Sequence, residues 1–189
     1  MITLIEPQTE RLQLRQWRNE DREPFAAMNA DPRVMEFFPA LLSREESDAA
    51  IDRQITHIEK YGWGFWAVER LEDHQFIGFV GIKNVGDELP FAPAVEIGWR
   101  LAVDVWGKGY ATEGASAALR VAFEDLRLQE IVSFTPLPNI RSQKVMQRLG
   151  MHEDPVTFEH PGLPTGSPLR RHCLYRLSSS QWRGRIDSF

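Results

Sequence analysis

Between Val95 and Leu126 the apolar period of the chain changes from two to about 3.6, with two glycines at the change. Val95, Ile97, Trp99 and Leu101 alternate on one face of a predicted strand, and Glu96 falls on the other. Ala111, Ala115, Ala118, Leu119, Ala122, Phe123 and Leu126 then recur at the spacing of one buried helical stripe. Trp106-Gly107-Lys108-Gly109 lies between the two patterns. A strand, a glycine loop and a helix N-terminus can bind an anion. The first N–H groups of the helix lack internal partners, and the helix dipole adds partial positive charge there. Spacing alone leaves an ordinary glycine turn equally open.

Two phosphate-binding motifs are poorly matched. A P-loop needs Gly-x-x-x-x-Gly-Lys-Ser/Thr, but Lys108 is followed by Gly109 and no glycine stands five residues before Gly107. A dinucleotide fingerprint needs Gly-x-Gly-x-x-Gly directly after a strand. Here Thr112 holds the third glycine position, and only Glu130 stands roughly where a ribose-binding acid belongs.

Trp106 to Glu113 instead resembles the acetyl-CoA signature of the GCN5-related N-acetyltransferases, most closely the RimJ/RimL-type group that acetylates protein N-termini. The family pattern Gln/Arg-x-x-Gly-x-Gly/Ala maps onto Trp106 to Ala111, with Trp106 in place of the usual first residue. The resemblance runs from Thr9-Glu10-Arg11-Leu12 to about Leu177. It implies an α+β fold with a mixed, mostly antiparallel twisted sheet of about seven strands flanked by helices. It also implies a V-shaped cofactor gap where the strand at Val95 splays from the strand at Ile131.

The rest of the chain is consistent with that order. Leu12 to Gln16 alternates as a first strand. Asp21 is placed to cap a helix that ends near Asp31-Pro32. Ser43-Arg44-Glu45-Glu46 is a capping box opening a helix to about Lys60. Phe65–Arg70 and Phe76–Lys83 read as strands joined by a polar loop in which His74 is solvated. Glu130 to Thr135 is a further strand, and Asn139 caps a short helix closed by Gly150. Met151–Phe158 and Arg171–Leu177 form a last hairpin, and the polar tail after Ser178 is expected to fray. Residues 1–189 read as a single N-acetyltransferase domain.

The resemblance supplies roles. Leu101, Ala102 and Val103 would pair with the pantetheine arm of acetyl-CoA. Gly107, Gly109, Tyr110, Ala111 and Thr112 would hold the pyrophosphate, with Lys108 adding charge, and Asn139 and Lys144 would reach the pantetheine end and the nucleotide. Glu96 is the general-base candidate; an exposed strand carboxylate paired with a cation is the other reading. Ser142, in Asn139-Ile140-Arg141-Ser142, matches a serine placed to protonate the leaving CoA thiolate; helping to cap its own helix is its other reading. Glu159 is a second acid–base candidate, and Phe37, Phe38, Trp63 and Trp66 are candidates for the acceptor pocket.

Direct attack on a thioester needs a neutral amine. An α-amine of pKa about 7.7–8.0 is roughly a tenth neutral at pH 7, whereas a lysine at about 10.4 needs about 3.5 kcal/mol more. The preferred function is therefore acetyl transfer to the N-terminal α-amine of a protein or peptide. A small-molecule amine (polyamine, amino acid or antibiotic) and a non-catalytic acyl-CoA-binding module are the alternatives.

Net charge is −5 with no long basic run, which argues against nucleic acid as a partner. No apolar run reaches the roughly 20 residues that span a bilayer, so no membrane is expected. The single cysteine, Cys173, excludes an internal disulfide and points to a cytoplasmic setting, with the thiol buried and inert. His152, His160 and His172 have no ligand spacing, so no metal is expected. A homodimer is compatible with the sequence but not demonstrated by it.

Overall fold

The computed structural model describes residues 2–186. Its strands are β1 (Leu12–Arg15), β2 (Phe65–Arg70), β3 (Gln75–Asn84), β4 (Val95–Leu101), β5 (Glu130–Pro136), β6 (His152–Glu153), β7 (Phe158–Glu159) and β8 (Arg171–Ser178). The helices are α1 (Arg22–Asn29), α2 (Arg44–Tyr61), α3 (Tyr110–Arg120), α4 (Ile140–Arg148) and α5 (Ser179–Ile186). The sheet order is β1-β2-β3-β4-β5-β8-β6, with β7 also paired to β8. β4 and β5 run parallel, and the pairs β1–β2, β2–β3, β5–β8, β6–β8 and β7–β8 are antiparallel. The fold is α+β, as the sequence predicts, with eight strands rather than about seven.

The described residues group into two compact units. In the first, made from Met1–Ile82 and Gly98–Ala118, Leu14 lies opposite Val68 and Ala67 opposite Phe79. Leu12, Leu14, Ile51, Ile58 and Trp66 are essentially without exposure and form its core. The box predicted at Ser43 is present: Ser43 Oγ accepts from Glu46 N–H and Glu46 accepts from Ser43 N–H. Asp21 departs from expectation. It precedes α1 but makes no side-chain cap, because its carboxylate accepts from Arg15 at 2.8 and 2.9 Å and from Arg18 N–H at 2.8 Å. A buried arginine outcompetes the helix end for that acid. His74 is exposed, as expected, yet its Nδ1 sits 2.9 Å from Glu69 Oε1.

The second unit joins Lys83–Ile97 to Leu119–Phe189. β5 pairs with β8 along its whole length, from Glu130 opposite Ser178 to Pro136 opposite His172. Three expectations change here. The predicted strand Met151–Phe158 is two short strands, because Asp154 and Pro155 interrupt it. Asp154 turns its carboxylate to Val156 N–H and Arg176, and Pro155 has no N–H to give the ladder. The helix predicted to reach Leu126 gives way at Val121–Asp125 to a π turn, in which Leu126 N–H donates to Val121 C=O. Val121, Ala122 and Phe123 are all buried. Three adjacent residues cannot share the stripe of a regular helix, and the wider turn accommodates them. Finally, the tail expected to fray forms helix α5 over Ser179–Ile186, and residues 187–189 lie outside the described residues. Ser178 and Gln181 form a reciprocal cap, and Trp182 stacks on Phe123 with ring centroids 5.7 Å apart.

Candidate active site

The glycine loop begins at the end of β4. A 3-10 turn over Val103–Val105 directs the chain away from the strand, and Trp106 Nε1 donates to Leu101 C=O at 2.9 Å. The residue that departs from the family pattern thus anchors the loop to the strand. Gly107 and Gly109 have φ of 73° and 82°, the left-handed region that a side chain strains, and both are exposed. A Cβ on Gly107 would meet nothing within 4 Å, so the backbone there faces open space. At Gly114 a Cβ would come within 3.3 Å of Val80 Cγ2; the missing side chain seats α3 on β3.

A clamp fixes this loop from a distant part of the chain. Glu113, in the first turn of α3, accepts from Thr9 Oγ1 at 2.6 Å, Arg11 N–H at 2.9 Å and Arg11 Nε at 2.6 Å. Arg11 Nη1 donates to Lys108 C=O at 3.0 Å, and its guanidinium lies 4.5 Å over the Tyr110 ring. Burial raises the Glu113 pKa, but the bonds from Thr9 and Arg11 outweigh it and hold the carboxyl below its ordinary value. Sequence reasoning gave Arg11 and Glu113 no role. The signals were two motifs, Thr9-Glu10-Arg11-Leu12 and Trp106 to Glu113, which carried resemblance without pairing one residue with the other.

The clamp also sorts the predicted cofactor residues. Tyr110 is buried with its ring under Arg11, so its backbone, not its ring, remains for a ligand. Lys108 is exposed. Ala111 and Thr112 occupy the first turn of α3, where N–H groups lack helical partners. Leu101 C=O already accepts from Trp106 and Ala102 N–H donates to Ile77 C=O, while Val103 C=O accepts from Trp106 N–H.

In the second unit Glu96 lies opposite Val132, and Ser133 Oγ donates to Ile97 C=O at 2.9 Å. Glu96 is half-buried, and burial pushes its carboxyl up to about 7, with Lys83 pulling partly back. Asn139 caps α4 by accepting from Ser142 N–H, and its Nδ2 donates to Thr135 Oγ1 at 2.8 Å and Ser142 Oγ at 3.1 Å. Ser142 Oγ therefore acts as an acceptor towards Asn139, and its own proton remains to be donated. Lys144 is exposed on α4.

The acceptor-pocket candidates separate. Trp66 is 0% exposed with its indole N–H on Ile5 C=O, which makes it a core residue. Trp63 is buried against His57 and Tyr61. Phe38 is exposed on the α1–α2 connection, which it shares with Phe37. Glu159 pairs with Arg170 at 3.0 Å. Cys173 is buried, and burial raises its thiol pKa. His172 is buried within 5.0 Å of His160, ring to ring, and desolvation pushes it down to about 4.

The comparisons with known proteins bear on the family and the fold. The model of the acetyltransferase (GNAT) domain matches residues 11–152. An uncharacterized N-acetyltransferase, YnaD, of Bacillus subtilis is 27% identical over 176 residues, covering 92% of this chain and 97% of its own. A GNAT-family acetyltransferase from Bacillus anthracis superposes with a TM-score of 0.78 at 22% identity, covering 93% of this chain and 99% of its own. A RimL ribosomal L7/L12 α-N-protein acetyltransferase in complex with coenzyme A superposes with a TM-score of 0.74 at 14% identity, covering 93% and 98%. The chain belongs to the GNAT acetyltransferase family.

Proposed function

We propose that this acetyltransferase moves the acetyl group of acetyl-CoA to a primary amine by direct attack, with the N-terminal α-amine of a protein or peptide as acceptor. The observation that carries the reading is Glu96, half-buried on β4 with its carboxyl raised to about 7. A base of that strength suits an amine that is already partly neutral at pH 7. It is poorly matched to a lysine some 2.5 units higher.

Gly107, Gly109, Tyr110, Ala111 and Thr112 offer backbone N–H groups to the pyrophosphate, and Lys108 adds a positive charge. The end of β4, Leu101 to Val103, takes the pantetheine amides. Leu101 C=O and Ala102 N–H are already bonded, so this pairing centres on Val103. Asn139 and Lys144 on α4 contact the pantetheine end and the nucleotide. In the chemical step the amine nitrogen forms the new C–N bond and its proton passes to Glu96, directly or through a water. The C–S bond then breaks as the departing thiolate takes the Ser142 proton, and Ser142 regains one through water from the protonated Glu96, which restores both groups. A thiol of pKa about 8.5 is a fair leaving group, so this help is modest. The proposed step calls for no metal. The proposed setting is the cytoplasm, in keeping with a single, buried cysteine.

The test is thiol release from acetyl-CoA across peptides with different N-terminal residues, polyamines, free amino acids and aminoglycosides. Release with peptides alone is the expected result. Release with one of the small amines alone would replace the acceptor class. No release with any acceptor, despite thermal stabilisation by acetyl-CoA, would favour a non-catalytic acyl-CoA-binding module and overturn the proposed transfer.

A further inference from the structure

Arg100, next to the last residue of β4, is a half-buried cation. Its Nη1 donates to Asn29 Oδ1 at 2.7 Å, and its Nε is buried with no partner among the described residues. No described carboxylate pairs with it. Two aromatic faces flank it, Phe38 at 4.1 Å and Phe79 at 5.4 Å from the guanidinium carbon.

The residues that hold it are specific. Asn29, at the end of α1, is 0% exposed, and its Nδ2 donates to Ser47 Oγ at 2.9 Å. Ser47, in the first turn of α2, is also 0% exposed. That bond fixes the amide so that its oxygen faces Arg100. The helices on either side of the Phe37-Phe38 connection thus combine to orient one guanidinium. Burying a cation without a counter-ion costs several kcal/mol, and an apolar side chain between two rings would avoid that cost. With Nη1 held by Asn29, the free edge is Nε with Nη2. That edge takes a carboxylate side-on through two parallel bonds.

We propose that Arg100 is a subsite for an anionic group of the acceptor, a carboxylate held on the Nε–Nη2 edge under Phe38. The proposal rests on the acetyltransferase reading and narrows its acceptor to amines that also carry a carboxylate. The carboxylate is either the α-carboxylate of a free amino acid or an acidic side chain near a peptide N-terminus. Phe38 lies over the guanidinium and is exposed on its loop, and because Nε is buried the proposal requires Phe38 to move as the acid enters.

The test compares matched acceptors in thiol-release assays on the full chain. One arm sets free amino acids against their amides. The other sets C-terminally amidated peptides with Glu at the first or second residue against the same peptides with Gln. Wild type is expected to prefer the anionic member of one arm by at least about tenfold in kcat/KM, mainly through KM. The arm that shows it names the source of the carboxylate. In Arg100→Met the ratio should collapse towards one. Asn29→Asp gives Arg100 an internal carboxylate and keeps the fold's shape, and it should also lower the ratio. No preference in either arm, or an unchanged preference in both variants, would overturn the proposal. A binding readout separates this outcome from failure of the reaction itself. N-acetylated amino acids or N-acetylated Glu peptides should raise the Tm of wild type more than their neutral counterparts do, and this excess should vanish in Arg100→Met. If no acceptor turns over but that excess is seen, the subsite stands and the proposed reaction falls. If the excess is absent, the subsite falls.

Discussion

Two glutamates between Val95 and Leu126 have opposite environments. Glu113 opens α3 and accepts three hydrogen bonds from Thr9 and Arg11, which hold its carboxyl ionised. Glu96 on β4 is half-buried, and burial moves it up to about 7. The same side chain is a fixed strut in one place and a titrating group in the other. The number of hydrogen bonds offered to the charged form decides which. Glu113 shapes the loop proposed to receive the cofactor; Glu96 is the group proposed to take a proton.

The largest effect that would break this contrast is on turnover. Glu96→Gln should lower kcat by about 10²- to 10⁴-fold while leaving the KM for acetyl-CoA within a few-fold. Glu113→Ala should show the reverse signature. It removes three bonds from the first turn of α3 and frees Arg11, so the KM for acetyl-CoA should rise about tenfold. Stability in a urea titration should fall by about 1–3 kcal/mol. If the two variants gave the same kinetic pattern, the division of roles would be wrong.

A third prediction sharpens the contrast through pH. The folded-state pKa of Glu96 lies above its unfolded value, so ionisation destabilises the fold. The penalty is absent below about pH 4.5 and grows to its full size as pH rises through about 7. Glu96→Gln should therefore be no more stable than wild type at pH 4.5, and more stable by about 1–3 kcal/mol at pH 8. Glu113 has the opposite sign. Its contribution is present above the ordinary carboxylate range and is lost as pH falls through its lowered value. Denaturant midpoints at pH 4.5 and 8 check Glu96, and a series continued below pH 4.5 checks Glu113. The smallest effect is at Ser142: Ser142→Ala should cost about three- to tenfold in kcat, because the thiolate leaves readily. It should also leave the α4 cap intact, since Asn139 accepts from the backbone N–H at that position.

What the sequence reveals follows the range of the forces involved. The strand, the glycine loop and α3 are legible because periodicity and positive-φ glycines are local properties of Val95 to Leu126. The caps at Ser43 and Asn139 are legible for the same reason. The reciprocal cap at Ser178 and Gln181 was equally local, yet it stood in a polar stretch whose one anchor, Trp182, finds Phe123 only in three dimensions. The clamp is not legible, because Thr9 and Arg11 meet Glu113 across more than a hundred residues. The pair Asn29 and Arg100, 71 residues apart, is hidden in the same way. Glu96 could be named from its place opposite the apolar set. Its shift could not, because it comes from burial. The π turn at Val121–Asp125 follows from three consecutive buried residues, a demand of packing that helical periodicity does not express.

The central claim is that Glu96 is the base, and its most direct test is the pH dependence of kcat in wild type and Glu96→Gln with one peptide acceptor. The acceptor's own ionisation is common to both enzymes, so only the difference between the profiles reports the residue. The account predicts a rise through an ionisation near pH 7 in wild type that is absent from the variant. Superimposable profiles, or a variant with unchanged kcat, would contradict it.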